Sequence, residues 1–199
     1  MKFLGRVYAK ASEMCFVQYM PIMLPQDRTL YLPKNLGWSE RIIRRAYFDA
    51  DIDNQYVYLT AKHLWVDSSN PGNRKGWHID AYLSEDQNYV WCDRNPTEYI
   101  PSLDSWEFSE DHEKSMEEMA QVAPLATVRE IPLKTVVNME RTVHRVKEDI
   151  LPGMRTFVKV SFSKHKYNLE GNARNPLLDL DWKMYPRGEG RNHPYILEE

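Results

Sequence analysis

The chain is poor in the features that staple or anchor a protein. Only Cys15 and Cys92 are present, too few for a disulfide scaffold and without the C-x-x-C spacing of zinc or redox sites. A reducing compartment fits that scarcity. No window approaches the roughly 18–20 uncharged apolar residues of a membrane span. Arg6 and Lys10 interrupt the N-terminus before any apolar run long enough for a signal-peptide core. The expectation is a soluble, cytoplasmic protein with no membrane partner. Charge of one sign is also missing: 26 Lys and Arg against 29 Asp and Glu leave a net charge of −3. That excludes the overall basic field behind sequence-independent nucleic-acid affinity, leaving only local patches. There is no internal repeat and no βαβ rhythm.

What is present suffices for one core. With 199 residues, 42% of them hydrophobic and 28% charged, the chain lies away from the compositions that stay disordered and reads as a single domain over 1–199. Twelve prolines and eight glycines punctuate it, which favours short extended segments. Strands are expected at 15–20, 29–32, 55–66, 89–93, 127–131, 135–139, 142–146 and 155–162, with a hairpin joining 76–83 to 89–93. Ser39 reads as the cap of a helix carrying Arg41, Arg44 and Arg45 on one face, a solvated basic surface or a phosphate-contacting patch. Ser109 reads as the cap of a second helix, seated by Met116, Met119 and Val122. The tail from 187 to 199 lacks pattern and is expected to be flexible. The sum is mainly β, a sandwich or barrel with helices outside.

Chemistry concentrates around His78 and Asp80. If 76–83 is a strand, residues two apart share a face, so imidazole and carboxylate converge. A distal histidine, His144 in the strand 142–146, would complete a two-histidine, one-carboxylate triad of the kind that holds non-haem Fe(II) with open positions. An H-x-D triplet arises about 0.4 times by chance in this composition, so its context matters. Arg155 follows His144 by eleven residues across the Pro152-Gly153 turn, close enough for a β-hairpin to return it to the same pocket. A guanidinium there suits a dicarboxylate, which it pairs bidentately. Lys159 shares Arg155's strand face and can substitute or compete. Tyr82 would share Asp80's face. His63 lacks a carboxylate two residues on, His112 sits on the second helix, His165 stands between Lys164 and Lys166, and His193 lies in the tail. Trp65, Trp77 and Trp91 read as strand burial.

From Asn70-Pro-Gly and Gly-Trp-His-Ile-Asp80 to Val143-His-Arg and Pro-Gly-Met-Arg-Thr-Phe-Val-Lys-Val-Ser-Phe162, about half the chain resembles the 2-oxoglutarate/Fe(II)-dependent oxygenases. The resemblance implies a double-stranded β-helix (jelly-roll) with a few flanking helices and a core over about 55–163. It implies Fe(II) on His78, Asp80 and His144, with the remote carboxylate of 2-oxoglutarate on Arg155, assisted by Tyr82 or Lys159. It also implies O2 as co-reactant and a dioxygenase, a hydroxylase by preference. Many relatives carry Ser or Thr two residues after the arginine, where this chain has Phe157. The substrate class stays open between a small molecule, a nucleic-acid base and a protein side chain. A cupin-like metal-binding barrel is the rival reading, though its usual H-x-H is missing, and a non-catalytic protein retaining the fold is another. The asparagine- and glycine-containing loop from Asp67 to Lys75, just before the proximal ligands, is expected to gate the site.

Overall fold

The computed structural model describes residues 1–103 and 106–187. The described residues form a mainly β protein of two antiparallel sheets. In chain order the elements are β1 (Lys2–Arg6), β2 (Cys15–Met23), α1 (Glu40–Tyr47), β3 (Tyr56–Val66), β4 (Gln87–Cys92), β5 (Thr97–Ile100), α2 (His112–Val122), β6 (Arg129–Glu130), β7 (Thr135–Asn138), β8 (Val143–Val146) and β9 (Gly153–Ser163). The large sheet has the order β1-β7-β4-β9-β3-β2 and the small sheet β6-β5-β8.

Alternation along β3 and β9 sorts the large sheet into two unlike faces. Leu59, Ala61, Val158, Val160 and Phe162 join Tyr89 and Trp91 in the main core, closed by Ile42, Ile43 and Ala46 of α1. The other parity carries Thr60, Lys62, Phe157 and Lys159, and these line a cavity whose far wall includes Thr97, His144 and Val146 of the small sheet. The register is unbroken where it matters: Thr60 stands opposite Lys159, Lys62 opposite Phe157 and Leu64 opposite Arg155. β2 joins this face through a bulge, with Val17 opposite Ala61 and Met20 opposite Leu59. Gln18 and Tyr19 therefore share one position opposite Thr60, Tyr19 taking φ 46° and donating its backbone N–H to Thr60 Oγ1 at 3.1 Å.

Several expectations change. Residues 76–83 are not a strand: His78 makes an isolated bridge and the chain then turns, with Ala81 and Leu83 at positive φ. The expected hairpin with 89–93 is thus absent, and β4 pairs instead with β7 and β9. Residues 29–32 form an extended strap held by Tyr31 N–H to the Ile22 carbonyl at 2.8 Å, not a strand. β8 and β9 do not form a hairpin, because they belong to different sheets and face each other across the cavity. Ser39 stands at the N-cap of α1, as expected, but it ends a preceding 3₁₀ turn and its hydroxyl donates to the Leu36 carbonyl, so its side chain makes no capping bond. Asp111, not Ser109, caps α2, accepting from Lys114 N–H at 2.8 Å. β1 and β5 are strands not foreseen. Of the 187–199 tail, all but Arg187 lies outside the described residues, as does His193.

Candidate metal centre

His78 and His144 are brought together by backbone pairing. Each donates its N–H to the other's carbonyl, at 3.0 and 2.9 Å, so the two residues sit directly opposite on an antiparallel bridge and their side chains share a side. The ring centroids are 4.5 Å apart. Asp80 arrives from the turn that follows. One ligating atom from each of His78, Asp80 and His144 lies within 4.8 Å of the others.

Both imidazoles are oriented from behind. His78 Nδ1 lies 2.9 Å from the Gly76 carbonyl and His144 Nδ1 lies 2.8 Å from the Thr142 carbonyl. A carbonyl only accepts, so each Nδ1 carries a proton, and in the neutral ring that arrangement leaves Nε2 as the nitrogen with the lone pair that binds a metal. Burial and the neighbouring His144 push the His78 pKa down to about 3, which keeps the ring in the neutral, ligating form. Burial opposes ionisation of Asp80, but Lys159 and the two imidazoles outweigh it and hold its carboxyl well below the usual range. The Lys159 ammonium is 3.3 Å from Asp80 Oδ2 and donates to the Tyr19 hydroxyl at 3.0 Å. A neighbouring stack steadies the bridge: the Arg145 guanidinium lies 4.3 Å over the Trp77 ring and donates to Glu98 at 2.8 Å.

The cavity measures about 1110 Å³, enough for more than one small molecule by the usual scale of ligand pockets. Its large-sheet floor is cationic. The Lys62 ammonium donates to the Gly72 carbonyl at 2.8 Å. Arg155 is 2% exposed, lies under Phe157 with its guanidinium 5.2 Å from that ring, and donates through Nε to the Arg94 carbonyl at 2.9 Å. Its Nη2 is buried without a partner.

The structure thus brings together His78, Asp80, His144 and Lys159, with Arg155 one step behind the cavity wall. Tyr82 is not drawn in: its hydroxyl donates to the Phe108 carbonyl at 2.5 Å and accepts from Phe108 N–H at 3.1 Å, because the turn at 80–83 removes the strand parity that would have paired it with Asp80. His63 faces away, toward Thr156 Oγ1 at 2.9 Å. His112 reaches the cavity rim, 2.9 Å from Arg74 Nη1. The basic face of α1 lies across the large sheet from the cavity, with Arg44 paired to Glu40. Lys62 and Tyr19 were not singled out from the sequence. A lysine on the polar parity of an otherwise apolar strand was the available signal for Lys62, yet on an antiparallel sheet that parity ordinarily faces water. No family model matches the chain, and no curated protein or solved structure does either.

Proposed function

We propose that the protein is an Fe(II)- and 2-oxoglutarate-dependent oxygenase of the double-stranded β-helix class. The observation that carries this reading is the triad: two imidazoles with anchored Nδ1 atoms and one ionised carboxylate converge on a point at the wall of a large cavity. A donor set of two nitrogens and one oxygen, leaving one side open, suits non-haem iron. The cationic floor suits a dicarboxylate cosubstrate. Bound there, the iron would couple decarboxylation of 2-oxoglutarate to oxidation of a second molecule by O2.

The chain's own groups supply orientation and charge. Gly76 and Thr142 carbonyls fix the imidazoles, and Lys159 holds Asp80 ionised and in place while Tyr19 restrains the ammonium. Arg155, behind Phe157, adds its charge to the floor and keeps one buried donor, Nη2, without a partner. The cavity admits a small-molecule substrate beside the cosubstrate, and the placement of Arg41, Arg44 and Arg45 behind the sheet favours that class over a nucleic acid. A metal-binding barrel without oxygenase activity draws support from Phe157, which covers Arg155. Succinate formation from 2-oxoglutarate, measured with Fe(II), ascorbate and a panel of small-molecule and nucleobase substrates, separates the readings. Succinate from the wild type and none from Asp80→Ala supports the oxygenase; equal formation by both contradicts it.

A further inference from the structure

Lys62 is a lysine at the cavity wall flanked by charges of its own sign. It stands directly opposite Phe157, so Lys159 and Arg155, two residues to either side of Phe157, are its diagonal neighbours on β9, a spacing that long side chains reach across. No carboxylate of the described residues comes within ion-pair distance of it, and Asp80 is paired with Lys159 at 3.3 Å. Its nitrogen is held at the wall by neutral groups: it donates to the Gly72 carbonyl at 2.8 Å, lies 3.5 Å from Asn73 Oδ1 and sits 5.3 Å from the centre of the Phe16 ring. Burial, then the charges of Lys159 and Arg155, push its pKa down to about 8, against a smaller opposite pull from Asp80. That is close to the range of an α-amino group, so part of the population is a free amine near neutral pH. The other placed lysines differ: Lys2, Lys147 and Lys164 are paired with carboxylates. Burial opposes the charge of Lys159, but Asp80 and Tyr19 outweigh it and hold its pKa above the usual lysine value.

An amine between two cations gains from any reaction that makes it an anion. Carbon dioxide is the simplest reagent that does so: it is small, uncharged and adds to unprotonated amines. We propose that Lys62 is a carbamylation site, where dissolved CO2 converts the lysine into a carbamate that serves as counter-ion to Lys159 and Arg155. In the step the Lys62 nitrogen attacks the carbon of CO2, a C–N bond forms, one C=O electron pair moves onto oxygen, and the nitrogen gives one proton to water. Amine and CO2 become carbamate and a proton, with no oxidant or reductant. The carbamate nitrogen keeps one N–H, enough for the Gly72 carbonyl. The Lys159 ammonium spends two of its three donors on Asp80 and Tyr19, which leaves one for the new carboxylate. Arg155 adds its charge from behind the Phe157 ring. The inference stands apart from the oxygenase reading, since neither a metal nor 2-oxoglutarate takes part.

The test is carbon-13 NMR of the full chain, free of metal and equilibrated with carbon-13-labelled CO2 at constant pressure, on wild type, Lys62→Arg and Lys62→Met. Ethylation of the carbamate followed by peptide mapping gives its position. The wild type should show a carbamate resonance whose area falls at least about tenfold in both variants, because a guanidinium stays charged and a thioether is no amine. That area should grow between about pH 6.5 and about pH 9 as the amine gives up its proton, and the ethylated residue should map to position 62. A wild type without a carbamate resonance overturns the proposal. So does a resonance that survives both variants, since it then belongs to the amino terminus or to another lysine. Melting temperatures report whether the variants are folded, and Lys62→Arg, which keeps the charge, decides the question should Lys62→Met not fold.

Discussion

On the triad side of the cavity, the imidazole Nδ1 atoms and the Asp80 carboxylate already have protein partners. On the floor, Lys62 has no carboxylate of the described residues within ion-pair distance, and behind Phe157 the Arg155 guanidinium keeps one buried donor, Nη2, without a partner. The first arrangement is preorganised: the backbone bridge between His78 and His144 sets the spacing, and the carbonyls behind the rings set the tautomer. The second is incomplete. A buried charge left unpaired costs free energy, so the floor gains most from an anionic ligand, whereas the triad gains most from a cation. One cavity presents both demands side by side, and they point to a ligand that bridges a metal and a cationic floor.

The comparison breaks most sharply at the metal ligands. Asp80→Ala or His144→Ala removes one of three donors, and Mn(II) affinity should fall at least about 100-fold in a folded protein, more than the loss typical of an outer partner; equilibrium dialysis with metal analysis checks this. Next comes the floor. Arg155→Ala should weaken 2-oxoglutarate binding at least about tenfold, since a buried charge-assisted partner contributes about 2–5 kcal/mol, and should leave Mn(II) affinity within about twofold. Lys159→Met acts on the boundary between the two regions. It takes the cation from Asp80, so metal affinity should fall about tenfold as for other outer-sphere partners, and the metal-free protein should lose on the order of 3 kcal/mol, measured by urea unfolding.

The smallest effect is on pH dependence. With its pKa near 3 in the folded protein against about 6.5 in the unfolded chain, His78 binds a proton only on unfolding over that interval. Its contribution to stability is whole above pH about 6.5 and is lost as the pH falls toward 3. Asp80, whose folded pKa is lowered, acts in the same direction at lower pH, its contribution lost as the pH falls through the carboxylate range. Urea midpoints of metal-free wild type and His78→Gln across this range should converge at the acidic end.

The site was legible in the sequence for a reason that the fold then replaces. His78, Asp80 and His144 stand out by residue type and spacing, but strand parity does not unite them. The bridge to His144 and the turn at Asp80 do, and neither leaves a local pattern, since a one-residue bridge has no periodicity and Ala81 at φ 53° is not a residue that advertises a turn. β3 was readable from its run of β-branched and aromatic residues, and β9 from the alternation over 155–162. β5 was not, because Asn95-Pro96 reads as a loop and only four strand residues follow. Lys62 was hidden by its own regularity: its parity is the one that faces water on an ordinary two-faced sheet, and only the opposing small sheet turns that face into a cavity wall.

The most direct test of the account is a titration of 2-oxoglutarate into the protein with and without Mn(II), under anaerobic conditions. A keto acid held jointly by the triad and the cationic floor should bind one per chain in the metal-loaded protein and at least about tenfold more weakly without metal. The same affinity in both states, or no binding in the metal-loaded protein, would contradict it.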